Sequence, residues 1–279
     1  MKLRKVTAAS AAVLALAVGA TACGSSDKND SGSSSSGGGK IKIGIKYDQP
    51  GLGLKEPNGS FSGFDVDVAT YVAGKLGYKP SQIEFVETKS ADRENALSRG
   101  DVKFIVASYS ITDERKQKVD FAGPYFLAHQ DLLVKSDSKI AKGTDLNGKK
   151  LCSVVGSTSA QKIVKIAPKV NLKTNSGYSE CVSSLQSGAV DALTTDDSIL
   201  AGYASQAQYK GQFKLLGLKL SNENYGIGVK KGDTATLNKI NDALKSMVSD
   251  GTWKTDVEKN FGPANYKYEQ APKIGVIVK

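Results

Sequence analysis

The chain has 279 residues, 39% of them hydrophobic, and a formal net charge of +10 at neutral pH, a size that allows one large or two modest domains. Its basic balance would suit nucleic acid, an anionic membrane or an acidic solute, but with no basic run of five and no aromatic interleaving the pattern argues against nucleic acid. A single histidine, His129, and no Cys-x-x-Cys spacing argue against zinc, and neither a metal nor a cofactor is expected.

The chain opens with an export signal. Lys2, Arg4 and Lys5 form a positive start, and Ala8 to Val18 is an apolar run too short to span a bilayer. It ends in Ala20-Thr21-Ala22-Cys23-Gly24, small residues before a cysteine. This resembles the lipobox of bacterial lipoproteins, although Ala20 stands where leucine is usual. The resemblance implies a signal peptide over residues 1–22 and a diacylglyceryl group on Cys23, whose two chains suffice for anchoring. A plain secretory signal is the alternative. Residues 23–39 are mostly Ser, Gly, Asp and Asn, a flexible tether reaching roughly 20–25 Å.

The folded body starts at Lys40. Ile41–Lys46 reads as a strand, and Phe64–Leu76 as a helix with Val66, Ala69, Val72, Ala73 and Leu76 on one face, stopped by Gly77. Ile83–Glu87 is a strand, Ser90 is the expected cap of a short helix over Ala91–Arg99, and Val102–Ala107 is a strand. Thr112 caps a helical turn opening with Asp113-Glu114. The order β-α-β-α-β argues for an α/β unit with a mainly parallel sheet.

The pattern restarts after Asp131–Lys135. Strands at Lys150–Val155, Val170–Lys173 and Val190–Thr194 alternate with helices at Ser159–Ile166, Ser179–Gln186 and Asp197–Gln206, and Phe213–Leu216 closes the unit. Tyr225–Lys230 then reads as a strand, with helices over Thr234–Val248 and near Trp253–Phe261. Two α/β units follow, with Ala128–Lys135 and Asn222–Val229 as candidate crossings. Cys152 and Cys181 are an even pair in an exported chain, which favours a disulfide over two free thiols.

Three stretches and the C-terminal region carry a family resemblance. Gly63-Phe64-Asp65-Val66-Asp67-Val68-Ala69, Ser108-Tyr109-Ser110-Ile111-Thr112-Asp113-Glu114-Arg115 and Val119-Asp120-Phe121-Ala122-Gly123-Pro124-Tyr125 resemble the bacterial extracellular solute-binding proteins of polar amino-acid ABC importers. Asp250-Gly251-Thr252-Trp253 and Phe261-Gly262 add to it. The resemblance implies an α/β, two-lobed periplasmic-binding-protein-like fold of type II with two crossover strands as hinge. Lobe 1 would be residues 40–127 plus 225–279, and lobe 2 an insertion over 131–224. The implied protein is monomeric, held to the outer face of the cell membrane by its lipid, and delivers a small polar solute to the importer's membrane subunits.

The same resemblance places ligand contacts. Arg115 falls where the family holds the α-carboxylate, and a guanidinium suits that role through its planar, bidentate fork. Ser108 and Ser110 precede it and would add bonds; Asp113 stands where proline is common. Asp196 is the acid expected for the α-ammonium, with Asp197 the alternative or a helix cap. Gly156-Ser157-Thr158 looks like a loop at a helix start, where N–H groups receive a carboxylate, with Thr158 preferred over Ser157. Lys46 and Arg93 resemble cations that acidic-amino-acid members place at the side-chain end. Tyr47-Asp48-Gln49-Pro50-Gly51-Leu52-Gly53 resembles the glutamate-binding lipoproteins of actinobacterial importers. Glutamate is therefore the expected ligand, with aspartate or glutamine behind it. Cys152 and Cys181 also have counterparts in acidic-amino-acid binders.

Rival readings use the same fold. A dehydratase or a lytic enzyme would need a catalytic carboxylate beyond the binding set, and His129 near a crossing reads as a hinge residue rather than a base. A sensor input domain would continue into a membrane helix, for which Ile274-Gly275-Val276-Ile277-Val278 is too short.

Overall fold

The computed structural model describes residues 39–279. The signal peptide, Cys23 and all of the tether but Gly39 lie outside the described residues. In chain order the strands are β1 (Ile41–Ile45), β2 (Asp48–Gln49), β3 (Gly53–Lys55), β4 (Phe61–Ser62), β5 (Ile83–Glu87), β6 (Phe104–Ile105), β7 (Val119–Lys135), β8 (Lys150–Val154), β9 (Asn171–Asn175), β10 (Ala192–Asp196), β11 (Phe213–Leu215) and β12 (Asn222–Lys230). The helices are α1 (Phe64–Lys75), α2 (Arg93–Arg99), α3 (Asp113–Lys118), α4 (Thr158–Ile166), α5 (Tyr178–Ser187), α6 (Asp197–Ala204), α7 (Thr234–Ser249) and α8 (Thr252–Phe261).

One path of pairing runs β5-β1-β6-β12-β7-β10-β8-β9, with β11 also on β7, and β2-β3-β4 form a small separate sheet. β1 is parallel to β5 and β6, while β8 is parallel to β9 and β10. Between these two parallel groups β7 changes partner. Val119 to His129 pair with β12, and Gln130 to Val134 pair with β10. A single strand of 17 residues thus serves both halves, and the change falls at His129–Gln130.

Local chemistry explains the elements. Gly63, at φ 115°, opens α1 where a Cβ would overlap the Leu52 backbone. The helix buries Phe64, Val68 and Val72 at intervals of four. Phe64 centres an aromatic cluster with Phe126, Trp253 and Phe261, ring centroids 5.5–6.0 Å away, and Trp253 Nε1 donates to the Tyr125 carbonyl at 2.7 Å. That cluster returns α8 to the N-terminal half. The opposite half has its own apolar layer of Leu132, Val134, Leu151, Ile163 and Ala192. Cys152 of β8 and Cys181 of α5 form a disulfide.

Several boundaries differ from the sequence reading. Ser90 does not cap α2: its hydroxyl accepts from Lys46 Nζ at 2.9 Å, and Asp92 holds the N-cap position. The strand expected over Val102–Ala107 shrinks to Phe104–Ile105, because β1 and β12 pair only with those residues. Ser157 caps α4 by accepting from Ala160 N at 3.0 Å, which starts that helix one residue earlier. Thr112 does cap α3, accepting from Arg115 N at 3.2 Å.

Candidate functional site

At the end of β1 the chain turns under the β2–β3 hairpin, and Lys46 is sealed in at 4% exposure. Its Nζ donates to Ser90 Oγ and makes no ion pair with a described carboxylate. Burial, and then the neighbouring Arg93, hold its pKa down to about 7. Arg93, at the start of α2, is equally buried; its Nη1 donates to the Ala107 carbonyl at 2.9 Å, while its Nε has no protein partner. Burial and then Arg115 lower its pKa to about 10. Its guanidinium lies 4.1 Å from the centre of the Tyr109 ring, and that of Arg115 lies 5.1 Å from the same ring. One aromatic side chain therefore steadies both cations, with its hydroxyl donating to Glu94 at 2.7 Å.

Arg115 reaches in from α3. Its Nη1 donates to the Ser110 carbonyl at 2.8 Å and its Nη2 to the Gly156 carbonyl at 3.0 Å, so it bridges the two sides of the molecule. Its Nε is 3.5 Å from Glu94. Ser108 adopts a left-handed φ of 44°, a strained value for serine. Asp65 holds it there: the carboxylate accepts from Ser108 N at 2.8 Å and from the Tyr125 hydroxyl at 2.6 Å. Burial lifts the Asp65 pKa to about 6 against those bonds. Ser108 Oγ in turn donates to Gln49 Oε1 at 2.9 Å.

The facing wall comes from α4, α5 and the β10–α6 junction. Gly156, at φ 76°, lets the start of α4 approach the turn before α2, since a Cβ would stand 2.8 Å from Ala91 Cα. Thr158 is the first residue of α4, and its hydroxyl donates to Glu223 of β12 at 3.0 Å. Burial raises the Glu223 carboxyl, but Lys162 at 2.5 Å outweighs it and the net shift is downward. Asp196 ends β10 and accepts from the Tyr225 hydroxyl at 2.6 Å and from Ser159 Oγ at 3.3 Å. Burial, followed by the Glu223 charge, pushes the Asp196 carboxyl above its ordinary range. Asp197 faces elsewhere: its Oδ1 accepts from His129 N, Ser198 N and the Tyr266 hydroxyl at 2.8–2.9 Å.

These walls close on one another around a small cavity of about 10 Å³, the room of a single water, lined by Ser90, Arg93, Ser108, Ser110, Arg115, Ser157, Thr158, Ser159, Tyr178, Asp196 and Ile199. Every residue singled out from the sequence lines it except Lys46, which reaches the Ser90 hydroxyl on its wall. Two larger surface depressions, near Lys135 and Asp191 and near Lys40 and Asp233, mix lysines with three and two aspartates and lack its buried charges. Tyr178, Ser159 and Ile199 on the wall, and Asp65 and Gln49 behind it, were missed. Asp65 alone had a usable signal, an acid on the apolar start of a helix.

The cavity presents a cluster of buried cations at one end and a buried acid, Asp196, at the other. Such an arrangement suits a small zwitterion carrying additional negative charge, because each buried charge gains a partner on binding. Residues 41–263 match the model of the bacterial extracellular solute-binding proteins, family 3. The glutamate-binding protein GluB of Corynebacterium efficiens is 45% identical over 270 residues, covering 93% of this chain and 91% of that one. The ABC transporter glutamine-binding protein GlnH of Bacillus subtilis is 42% identical, covering 77% and 78%. Among solved structures, an ancestral arginine-binding protein bound to arginine superposes with a TM-score of 0.75 at 39% identity, covering 80% of this chain and 99% of that one.

Proposed function

This chain belongs to the bacterial extracellular solute-binding proteins of family 3, and from that premise we propose that it binds glutamate between its lobes and delivers it to the membrane subunits of an ABC importer. Export accords with the family. Cys23 would carry the lipid that keeps the protein on the outer face of the membrane, and the body would act as a monomer. The lobes would be residues 40–127 with 225–279, and residues 131–224.

The observation that carries the reading is the enclosure of Arg115, Arg93 and Lys46 opposite Asp196. Arg115, with Ser108, Ser110 and the amides of Ser157 and Thr158, would take the α-carboxylate. Asp196 would take the ammonium, and Lys46 and Arg93 the γ-carboxylate. Arginine or histidine would bring a second positive charge against two buried cations. Glutamine is the second reading, supported by a Lys46 pKa near 7, which allows a neutral amine beside an amide. Catalysis is not proposed: His129 faces Asn222 and Glu269 rather than the cavity, and Cys152 and Cys181 are bonded to each other.

Calorimetric titration with glutamate, aspartate, glutamine, histidine and arginine tests the assignment. Glutamate should bind tightest; a preference for arginine or histidine would overturn glutamate, and binding of none would overturn the ligand class. Replacing Lys46 or Arg93 by Met should shrink the glutamate-to-glutamine ratio roughly ten- to hundredfold, the worth of a charged hydrogen bond.

A further inference from the structure

We propose that Asp48 is a latch between the lobes, capping a helix on the far side of the cleft and so raising the affinity for every ligand without selecting among them. The ligand arm of this proposal rests on the binding-protein reading above; the contact itself does not.

Helix α5 begins at Tyr178 behind Gly177, an N-cap residue with no side chain to receive the first amides. Asp48 supplies what Gly177 lacks. Its Oδ2 accepts from Tyr178 N at 2.8 Å and from Ser179 N at 3.3 Å, across a sequence separation of 130 residues. A carboxylate there also meets the positive end of the helix dipole. Gly177 is what admits it, since a Cβ would stand 2.6 Å from that same oxygen.

The neighbouring helix repeats the arrangement. Buried Tyr203 of α6 donates its hydroxyl to the Asp48 carbonyl oxygen, and a Cβ on Gly202 would overlap the Pro50 carbonyl. Both helices therefore carry a glycine where β2 and its turn press in, α5 spending two backbone amides on Asp48 and α6 one hydroxyl. Tyr178 lines the cavity, so the latch closes directly beside the ligand.

An ordinary N-cap is already in place whenever its helix is folded. Here cap and helix lie on opposite walls, and parting them returns the carboxylate and both amides to water. The cap energy is then a property of the closed arrangement alone, and it multiplies the affinity of any ligand that requires closure by one factor. From the usual cost of losing a cap, that factor is roughly 2 to 30.

The test compares the full protein with Asp48→Ala and Asp48→Asn. In Asp48→Ala, measured at about pH 5.5 so that Lys46 stays charged without Asp48 beside it, glutamate, aspartate and glutamine should all weaken by the same factor within that range, through faster dissociation, with their ratios unchanged. Asp48→Asn keeps an acceptor oxygen and should recover part of the loss. Amide exchange at Tyr178 and Ser179, followed by NMR with and without ligand, should quicken in Asp48→Ala, while the melting temperature of the free protein stays put. Unaltered exchange at those two amides overturns the latch, whichever ligand is bound. A loss confined to one ligand overturns it by making Asp48 a side-chain contact, and a lowered free-protein melting temperature overturns it in favour of a purely structural role. Failure of the unmodified protein to bind these amino acids counts against the proposed ligand, while the exchange comparison still decides the latch.

Discussion

Arg115 gives the clearest test at the scale of a residue. Its fork has a carbonyl on each side of the cleft, at Ser110 and Gly156, and Arg115→Ala would strand a ligand carboxylate in a buried site. Such a loss costs about 3–5 kcal/mol, so calorimetry should show at least a hundredfold fall for every amino acid. Lys46 makes a pH test. In this structure its pKa lies near 7, lowered first by burial and next by Arg93. A γ-carboxylate beside it favours the charged amine and raises that pKa in the complex. The favourable interaction is therefore complete below pH 7 and is lost as pH rises, because binding must then take up a proton. The glutamate-to-glutamine affinity ratio should fall from pH 7 to 8.5, approaching tenfold per unit, and Lys46→Met should remove the trend; the ratio cancels the proton that the raised Asp196 carboxyl gives up to either ligand's ammonium. Arg115 and Asp196 were legible because short motifs at strand ends carry them. Asp65 and Gln49 were not, since their roles come from Ser108, 43 and 59 residues away.

Among the elements, the long strands and helices announced themselves by period, whereas β2, β3 and β4 did not. Strands of two or three residues are too short to show alternation, yet their hairpin covers Lys46 and carries Asp48. The Ser90 cap failed for a physical reason: a buried ammonium took the hydroxyl, and the helix began later. The pairing of β8 with α5 through Cys152 and Cys181 closes a separation of 29 residues. Chain entropy assigns such a loop about 3–4 kcal/mol. Reduction under native conditions should therefore lower the melting temperature by roughly 6–16 °C for a body of this size. A shift below about 2 °C would mean that packing of Tyr178, Val182 and Leu185 alone holds α5 in place.

For the whole molecule, the restart of the α/β pattern after Asp131 and the return at Tyr225 were enough to read two units from the sequence. The change of partner within one strand was not, although the polar run His129-Gln130-Asp131 stands at its place, because a polar break in an apolar segment does not say that the same strand continues beside a new neighbour. There the backbone is tied sideways rather than through the core. His129 N donates to Asp197, its ring faces Asn222 and Glu269, and Asn224 beside it exchanges two hydrogen bonds with the Val278 backbone. Rotation about β7 and β12 would keep both parallel groups of strands intact and open only the apolar contacts that join them, since one buried cluster runs from Leu52 and Phe64 to Tyr178 and Val182. Small-angle scattering should then give a radius of gyration for the body that contracts toward about 18 Å on adding glutamate, the value for a compact chain of this length. Asp48→Ala should need more glutamate to reach the same contraction. An unchanged radius at saturating ligand would mean that the halves stay together and the cavity fills by a local opening, such as displacement of the β2–β3 hairpin over Lys46.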